Sequence, residues 1–303
     1  MIIGISGKMQ SGNDTVALII QYLYSKNAMM LNTLDSEREF NEFLRSKYKP
    51  AGSEFHIKRF ADKVKDIVCL LINCTREDLE KDSFKDMELS PEWSIYKLHA
   101  KHNFSRNLES HVIYTSRADA ERRAQTSRYH VIGYHIEKIT LTPRKLLQLV
   151  GTECGRQIIH PNIWINATMS MYQAKVKFDD STTDGNTWTY PNWIIPDVRF
   201  INEAESIKSR DGLLIRVERP IDLRFPDLFE KWPDKTMLTE PDYNWFLKWL
   251  KDYDIVQYAK LTHESEIGLD DYKEFNHTIN NCSDLTDLIS EVKSIIRFEG
   301  IIK

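Results

Sequence analysis

Two glycines five residues apart, Gly7 and Gly12, stand in the run Gly-Lys-Met-Gln-Ser-Gly-Asn-Asp-Thr at residues 7–15. In the pattern G-x-x-x-x-G-K-[ST], that spacing turns successive backbone N–H groups inward around a phosphate, and the dipole of the following helix adds to their field. Glycine permits both the tight turn and the close approach of backbone to ligand. The chemistry this predicts is capture of a nucleotide's phosphates by Gly7, Lys8, Ser11, Gly12, Asn13, Asp14 and Thr15. The loop departs from the pattern at its centre, where Asn13 fills the lysine position, Asp14 the hydroxyl position, and Thr15 falls one place late. An amide donates a neutral hydrogen bond and brings no charge, so a cation that would follow negative charge into a phosphoryl-transfer transition state is missing. Lys8 and the arginines Arg117, Arg122, Arg123, Arg128, Arg216 and Arg219 are candidates to supply it, set against the plainer reading of a solvated loop lysine and a solvated helix face.

A second constellation is Trp193-Ile194-Ile195-Pro196-Asp197-Val198-Arg199-Phe200. Asp197, at the carboxyl end of a short apolar strand, suits a magnesium ligand. Arg199, two places on, suits a planar fork for phosphate oxygens. The alternative for the pair is a surface turn closed by an Asp–Arg ion pair.

The elements that must position these groups follow from periodicity. Residues 1–26 read as strand, loop and helix, the context a phosphate loop requires. Residues 34–50 are charged and weakly periodic, a solvated excursion. Residues 55–60 alternate as a short strand. Asp62 then starts a helix with Val64, Ile67, Val68 and Leu71 on its apolar face. Residues 75–130 are polar and helical in places, which places an insertion at about 75–140. Thr142-Pro143 opens a helix over 144–151, a second amphipathic stretch covers 163–176, and 179–192 is a turn-rich surface loop. Short strands follow at 193–195, 213–217 and 276–279, and a closing helix over 284–296 is capped by Ser283 or Asp284. The aromatic, proline-broken segment 221–262 reads as a packed second insertion, a candidate lid or oligomer contact. His263 reads as a satisfied polar residue at a helix start. Strands alternating with helices give an α/β class with a mostly parallel sheet covered on both faces.

Taken together, the stretches 2–17, Phe60-Ala61-Asp62-Lys63-Val64-Lys65, Leu147-Gln148-Leu149-Val150-Gly151-Thr152-Glu153-Cys154-Gly155-Arg156, Trp164-Ile165-Asn166-Ala167, Asp197-Val198-Arg199-Phe200-Ile201-Asn202-Glu203-Ala204 and His263-Glu264-Ser265-Glu266 resemble the phage-type deoxynucleoside monophosphate kinases, and occur in that family's order. The resemblance implies one P-loop kinase domain over 1–303, with its insertions. It implies transfer of the γ-phosphoryl of ATP, with Mg²⁺, to a deoxynucleoside 5′-monophosphate. Carried over by position, the loop at 7–15 holds the donor phosphates and Asp197 places the metal. Asp62 and Lys65 face the acceptor, Gln148, Arg156 and Trp164 line its phosphate and base, and Arg199 lies near the phosphates. For several of these the residues alone allow plainer roles: Trp164 as core, Gln148 as helix surface, Arg156 as a complement to the end of the 144–151 helix.

Composition narrows the rest. With 303 residues, 41% hydrophobic, 28% charged and a net charge of −4, the balance favours neither nucleic acid nor an anionic membrane surface. The apolar run at 67–72 is too short to span a bilayer, and no cleavable leader is apparent, so a cytoplasmic protein is expected. Cys69, Cys74, Cys154 and Cys282 lack zinc or redox spacing and read as buried thiols. Two further functions compete with the kinase: a catalytically inactive nucleotide-binding scaffold, suggested by Asn13, and a kinase acting on a modified nucleotide or a base in DNA, suggested by the arginines at 117–128.

Overall fold

Residues Ile2–Gly7 form a strand with every position buried, because an unbroken apolar run has sheet neighbours on both edges and helices on both faces. The structure, a computed structural model, describes residues 1–28, 36–46, 55–102, 109–126, 131–178, 186–233 and 240–303. Arg128 and residues 34–35 and 47–50 lie outside those residues. Among the described residues the chain divides into two compact units, residues 1–60 with 164–303, and residues 61–163. The rest of the 34–50 segment is not a solvated excursion but a helix, Glu37–Arg45, that buries Phe40 in the core of the first unit.

The first unit is built on a sheet of five strands among the described residues, in the order His277–Asn280, Leu213–Glu218, Ile2–Gly7, Asn192–Ile195, Phe55–Ile57, all neighbours parallel. This is the mostly parallel α/β sheet that the alternating pattern predicts. Helix Asn13–Ala28 follows the first strand. Its Val16, Ala17, Ile19, Ile20 and Leu23 join the sheet's Ile3, Ile5 and Ile215 and the last helix's Ile289, Val292 and Ile296 in one core. That last helix runs Leu285–Phe298 and starts on Asp284, whose side chain accepts from the Asp287 N–H. Segment 221–262 has its own apolar cluster, Trp232, Phe246, Leu250 and Leu261, as its aromatic content predicts. Trp245 at 63% exposed and Tyr253 at 52% stand outside it.

Three further expectations are corrected here. The second amphipathic stretch ends early: helix Ile163–Met169 gives way to a strand, Lys175–Phe178. Part of the predicted surface loop is ordered as a strand, Asn186–Thr189, paired antiparallel to it as a ribbon. Of the four thiols read as buried, Cys154 and Cys282 are exposed.

The second unit opens with helix Asp62–Ile72. Val64 and Val68 are buried as predicted, but Ile67 and Leu71 are 38% and 49% exposed. Val68 joins a core with Leu79 and Leu146, and Cys69 and Ile72 of the same helix pack against it. The insertion is not purely helical. It carries an antiparallel sheet, three-stranded among the described residues, with Ile95–His102 between Glu109–Tyr114 and Val131–Ile139, besides helix Arg117–Gln125. Thr142 caps helix Pro143–Gln148 by accepting from the Lys145 N–H. Instead of stopping at Gly151, the chain continues as a π-helix, Leu149–Ile159, with Gly151, Thr152 and Gly155 buried. Runs of this kind are rare and concentrate at functional sites. Arg156 stands in the last turn of this continued helix, past the predicted end at Gly151.

Candidate active site

The glycine loop at residues 7–15 is shaped by its own backbone. The Ser11 N–H donates to the Lys8 carbonyl at 3.0 Å, and the Val16 N–H to Gly12 at 2.9 Å, the first bond of the helix. Gln10 and Gly12 take φ values of +62° and +100°. A side chain at Gly12 would be strained by that φ and would meet Asn281 Nδ2 at 2.6 Å. A side chain at Gly7 would run into Asn13 Oδ1 and lie 2.6 Å from the Val217 carbonyl oxygen. Both glycines are thus required by geometry, as their spacing predicts. Asn13 is 9% exposed. Its Nδ2 turns back and donates to the Gly7 carbonyl at 3.2 Å, while its Oδ1 is buried with no hydrogen-bond partner.

Residues distant in sequence fix the loop from outside. Glu266, 8% exposed, accepts from the Met9 N–H and from Arg199 Nη1, each at 2.6 Å. Arg224 Nε donates to the Met9 carbonyl at 2.8 Å. Burial lowers the Arg224 pKa and raises that of Tyr243, whose shift the nearby Arg224 partly offsets. Asn281 donates to the Ser11 carbonyl at 2.8 Å. Lys8 is not a solvated lysine: its ammonium pairs with Asp270 at 2.8 Å and lies 4.9 Å above the Tyr243 ring. Asp270 also lies 3.5 Å from Arg216, which donates to Ser6 Oγ at 3.1 Å.

Asp14, in the first turn of the helix, pairs with Arg59 at 2.6 Å. Asp197 accepts from the Phe60 N–H at 3.1 Å through Oδ1. Arg199 holds buried Glu266, the carboxylate that also accepts from Met9 of the loop, and its own N–H donates to Glu203 at 2.7 Å. The first unit thus collects the loop, Asp197 and Arg199. Trp164 is also described there, 5% exposed on helix Ile163–Met169.

The remaining predicted residues belong to the second unit. Asp62 pairs with Arg76 at 2.7 Å, and Lys65 with Glu80 at 2.5 Å. Gln148 ends helix Pro143–Gln148 and Arg156 lies in the π-helix that continues it. In the basic 117–128 stretch, Arg117 pairs with Glu121 and Arg122 with Asp119, as on a solvated helix face.

Sequence reasoning missed Glu266, Asp270, Arg224, Asn281 and Arg59. The stretch His263-Glu264-Ser265-Glu266 was the one signal that could have marked Glu266.

A family model described as deoxynucleotide monophosphate kinase matches residues 1–227. The chain belongs to that family. The chain is 38% identical over 82 residues to the deoxynucleoside-5′-monophosphate kinase of Escherichia phage T5, covering 25% of this chain and 28% of that protein. A protein of Acanthamoeba polyphaga mimivirus, provisionally named a deoxynucleotide monophosphate kinase, is 34% identical over 86 residues, 26% of this chain and 40% of its own length. The matches therefore span less than half of either relative. The mostly parallel α/β sheet of the first unit is consistent with that membership. Among the described residues, no helix is long and apolar enough to cross a membrane.

Proposed function

We propose that this protein transfers the γ-phosphoryl group of ATP to a deoxynucleoside 5′-monophosphate. One observation carries the reading: a glycine loop with positive φ at Gln10 and Gly12 joins a fully buried central strand to a buried helix, in a chain of this family. The loop's backbone N–H groups and the helix N-terminus hold the donor phosphates. Asp14, Thr15 and Asp197 offer hard oxygen donors, the class that holds Mg²⁺ when nucleotide phosphates and water complete its shell. When bound, Mg²⁺ neutralises charge on the β- and γ-phosphates. Asp62, Lys65, Gln148 and Arg156 take the acceptor monophosphate and Trp164 its base, by the family correspondence. Phosphoryl transfer asks of these residues position and positive charge rather than covalent chemistry.

The inward-turned Asn13 amide favours a second reading, a nucleotide-binding protein without turnover. A phosphoryl-transfer assay with Mg-ATP and each of the four deoxynucleoside monophosphates separates them, comparing the chain as written with Asn13→Lys. Diphosphate from the chain as written supports the kinase with its charge supplied elsewhere. Product only after Asn13→Lys marks an intact acceptor site beside a weakened donor site. No product from either, with nucleotide still bound, establishes the binding protein.

A further inference from the structure

We infer that Arg219 carries the positive charge that Asn13 does not, and that its guanidinium receives the phosphates of a nucleotide held by the glycine loop. The inference rests on reading the loop as the donor site. Asn13 is neutral, its Nδ2 is engaged by the Gly7 carbonyl at 3.2 Å, and its buried Oδ1 has no partner. A phosphate in the loop therefore meets no cation from position 13.

The chain that carries Arg219 runs along the loop. Strand Leu213–Glu218 lies parallel to Ile2–Gly7 with Val217 opposite Gly7, and the Val217 carbonyl oxygen lies 2.6 Å from where a Gly7 Cβ would stand. One residue on, the Glu218 carbonyl accepts from the Asn281 N–H at 2.8 Å, and the Asn281 side chain donates to the Ser11 carbonyl, also at 2.8 Å. Arg224 closes the run by donating through Nε to the Met9 carbonyl at 2.8 Å. Arg219 thus stands between anchors to Gly7, Ser11 and Met9. Alternation along the strand places Ile215 and Val217 on the sheet face whose core includes Val16 and Ile19 of the loop helix, and an extended residue 219 continues on that face. Pro220 keeps the backbone before it from turning helical. The Arg219 side chain therefore leaves the strand end on the face where the loop helix starts.

Arg219 lacks what its neighbours have. Its Nε is buried with no hydrogen-bond partner, and among the described residues no carboxylate pairs with its guanidinium. Lys8, Arg59, Arg199 and Arg216 each pair with a carboxylate. Arg224 also keeps a buried nitrogen, Nη2, without a partner, but its Nε is tied to the loop backbone and the residue is 5% exposed. Arg224 is thus a brace, and its second nitrogen adds to the same demand for an acceptor. An arginine stays protonated in a protein, and a buried donor without an acceptor costs free energy until one arrives. An anion beside the loop satisfies both the Arg219 Nε and its charge, and a planar fork suits phosphate oxygens.

The test pairs urea unfolding without nucleotide with calorimetric titration of Mg-ATP, on the full chain, Arg219→Gln, Arg219→Lys, and Arg219→Gln combined with Asn13→Lys. Arg219→Gln is expected to weaken Mg-ATP by about tenfold or more, the size of a charge-assisted hydrogen bond. Its urea midpoint stays at or above the parent's, because no hydrogen bond or ion pair within the protein is lost. Arg219→Lys keeps the charge without the fork and falls between. Asn13→Lys restores Mg-ATP affinity in the glutamine background. Parent-like Mg-ATP affinity in Arg219→Gln overturns the role of Arg219 and leaves the donor site standing. A lower urea midpoint in Arg219→Gln, or its failure to fold, does the same, since the arginine then supports the fold. A loss of affinity that Asn13→Lys does not repair also overturns it, since the charge then acts away from the lysine position. A parent chain that binds no Mg-ATP overturns the donor-site reading, and this one with it.

Discussion

Glu266→Gln removes a charge from beneath the phosphate loop while keeping the bulk that fills the space. The carboxylate accepts from the Met9 N–H and Arg199 Nη1, both at 2.6 Å, and its side chain is 5% exposed. Glutamine has one acceptor oxygen, so one donor must face its NH₂ group. A lost hydrogen bond to a charged group costs about 1.5–3 kcal/mol, and a buried donor left unpaired about 1–3 kcal/mol more. The lower half of each range applies, because the Arg199 side chain is 28% exposed and water softens its loss. The expected destabilisation is about 3 kcal/mol, or roughly 6–12 °C in Tm for a unit of this size. Urea unfolding measures the first and a thermal melt the second. A double-mutant cycle with Arg199→Leu should return a coupling of about 2 kcal/mol. Nucleotide affinity should fall alongside, since the Met9 N–H no longer has a fixed acceptor. A Glu266→Gln protein within about 0.5 kcal/mol of the parent, the range of an ordinary surface substitution, would refute the claim that this carboxylate anchors the loop.

Three further outcomes follow from the geometry. Gly12→Ala places a Cβ at φ +100° and 2.6 Å from Asn281 Nδ2, so it should cost about 1–2 kcal/mol and weaken Mg-ATP binding in calorimetry; parent-like values for both would mean the loop relaxes freely. Thr142→Ala removes the cap that accepts from the Lys145 N–H at 3.1 Å, an expected loss of about 1 kcal/mol in urea unfolding, with Thr142→Ser close to the parent. Burial and neighbouring Cys69 push the Cys74 thiol up to about 11, so its reactive thiolate is scarce until the pH approaches that value. Peptide mapping after iodoacetamide at pH 8 should find exposed Cys154 and Cys282 alkylated first, and Cys74 labelled at their rate would contradict this.

The elements legible from sequence are those whose signal is local. The Ile2–Gly7 strand and its glycines, the Leu213–Glu218 strand entered through Asp211-Gly212, and the last helix with its Asp284 cap each carry pattern and boundary in neighbouring residues. His263 is likewise a helix cap, its ring nitrogen accepting from the Ser265 N–H at 3.2 Å. The antiparallel sheet was not legible because Ile95–His102 and Val131–Ile139 interleave lysine, histidine and glutamate with apolar residues, a polarity that reads as solvated insertion. Nothing local marks a π-helix either, since Leu149–Ile159 has an ordinary amphipathic composition. At the site, the loop could be read from Gly7–Thr15 alone. Its supports could not, because a glutamate or an asparagine acquires meaning only from the loop atom it reaches across the fold.

Those supports also set an order of events in the life of the chain. Met9 meets Glu266 across 257 residues, Lys8 meets Asp270 across 262, and Ser11 meets Asn281 across 270. The loop leaves the ribosome more than 250 residues before its fasteners do. Until the final strand, His277–Asn280, pairs beside Leu213–Glu218, a nascent chain holds its glycine turn without them. Contacts of such sequence separation form slowly. A ribosome stalled after residue 227, where the family match ends, would carry the whole matched segment and a glycine loop still without Glu266, Asp270 and Asn281.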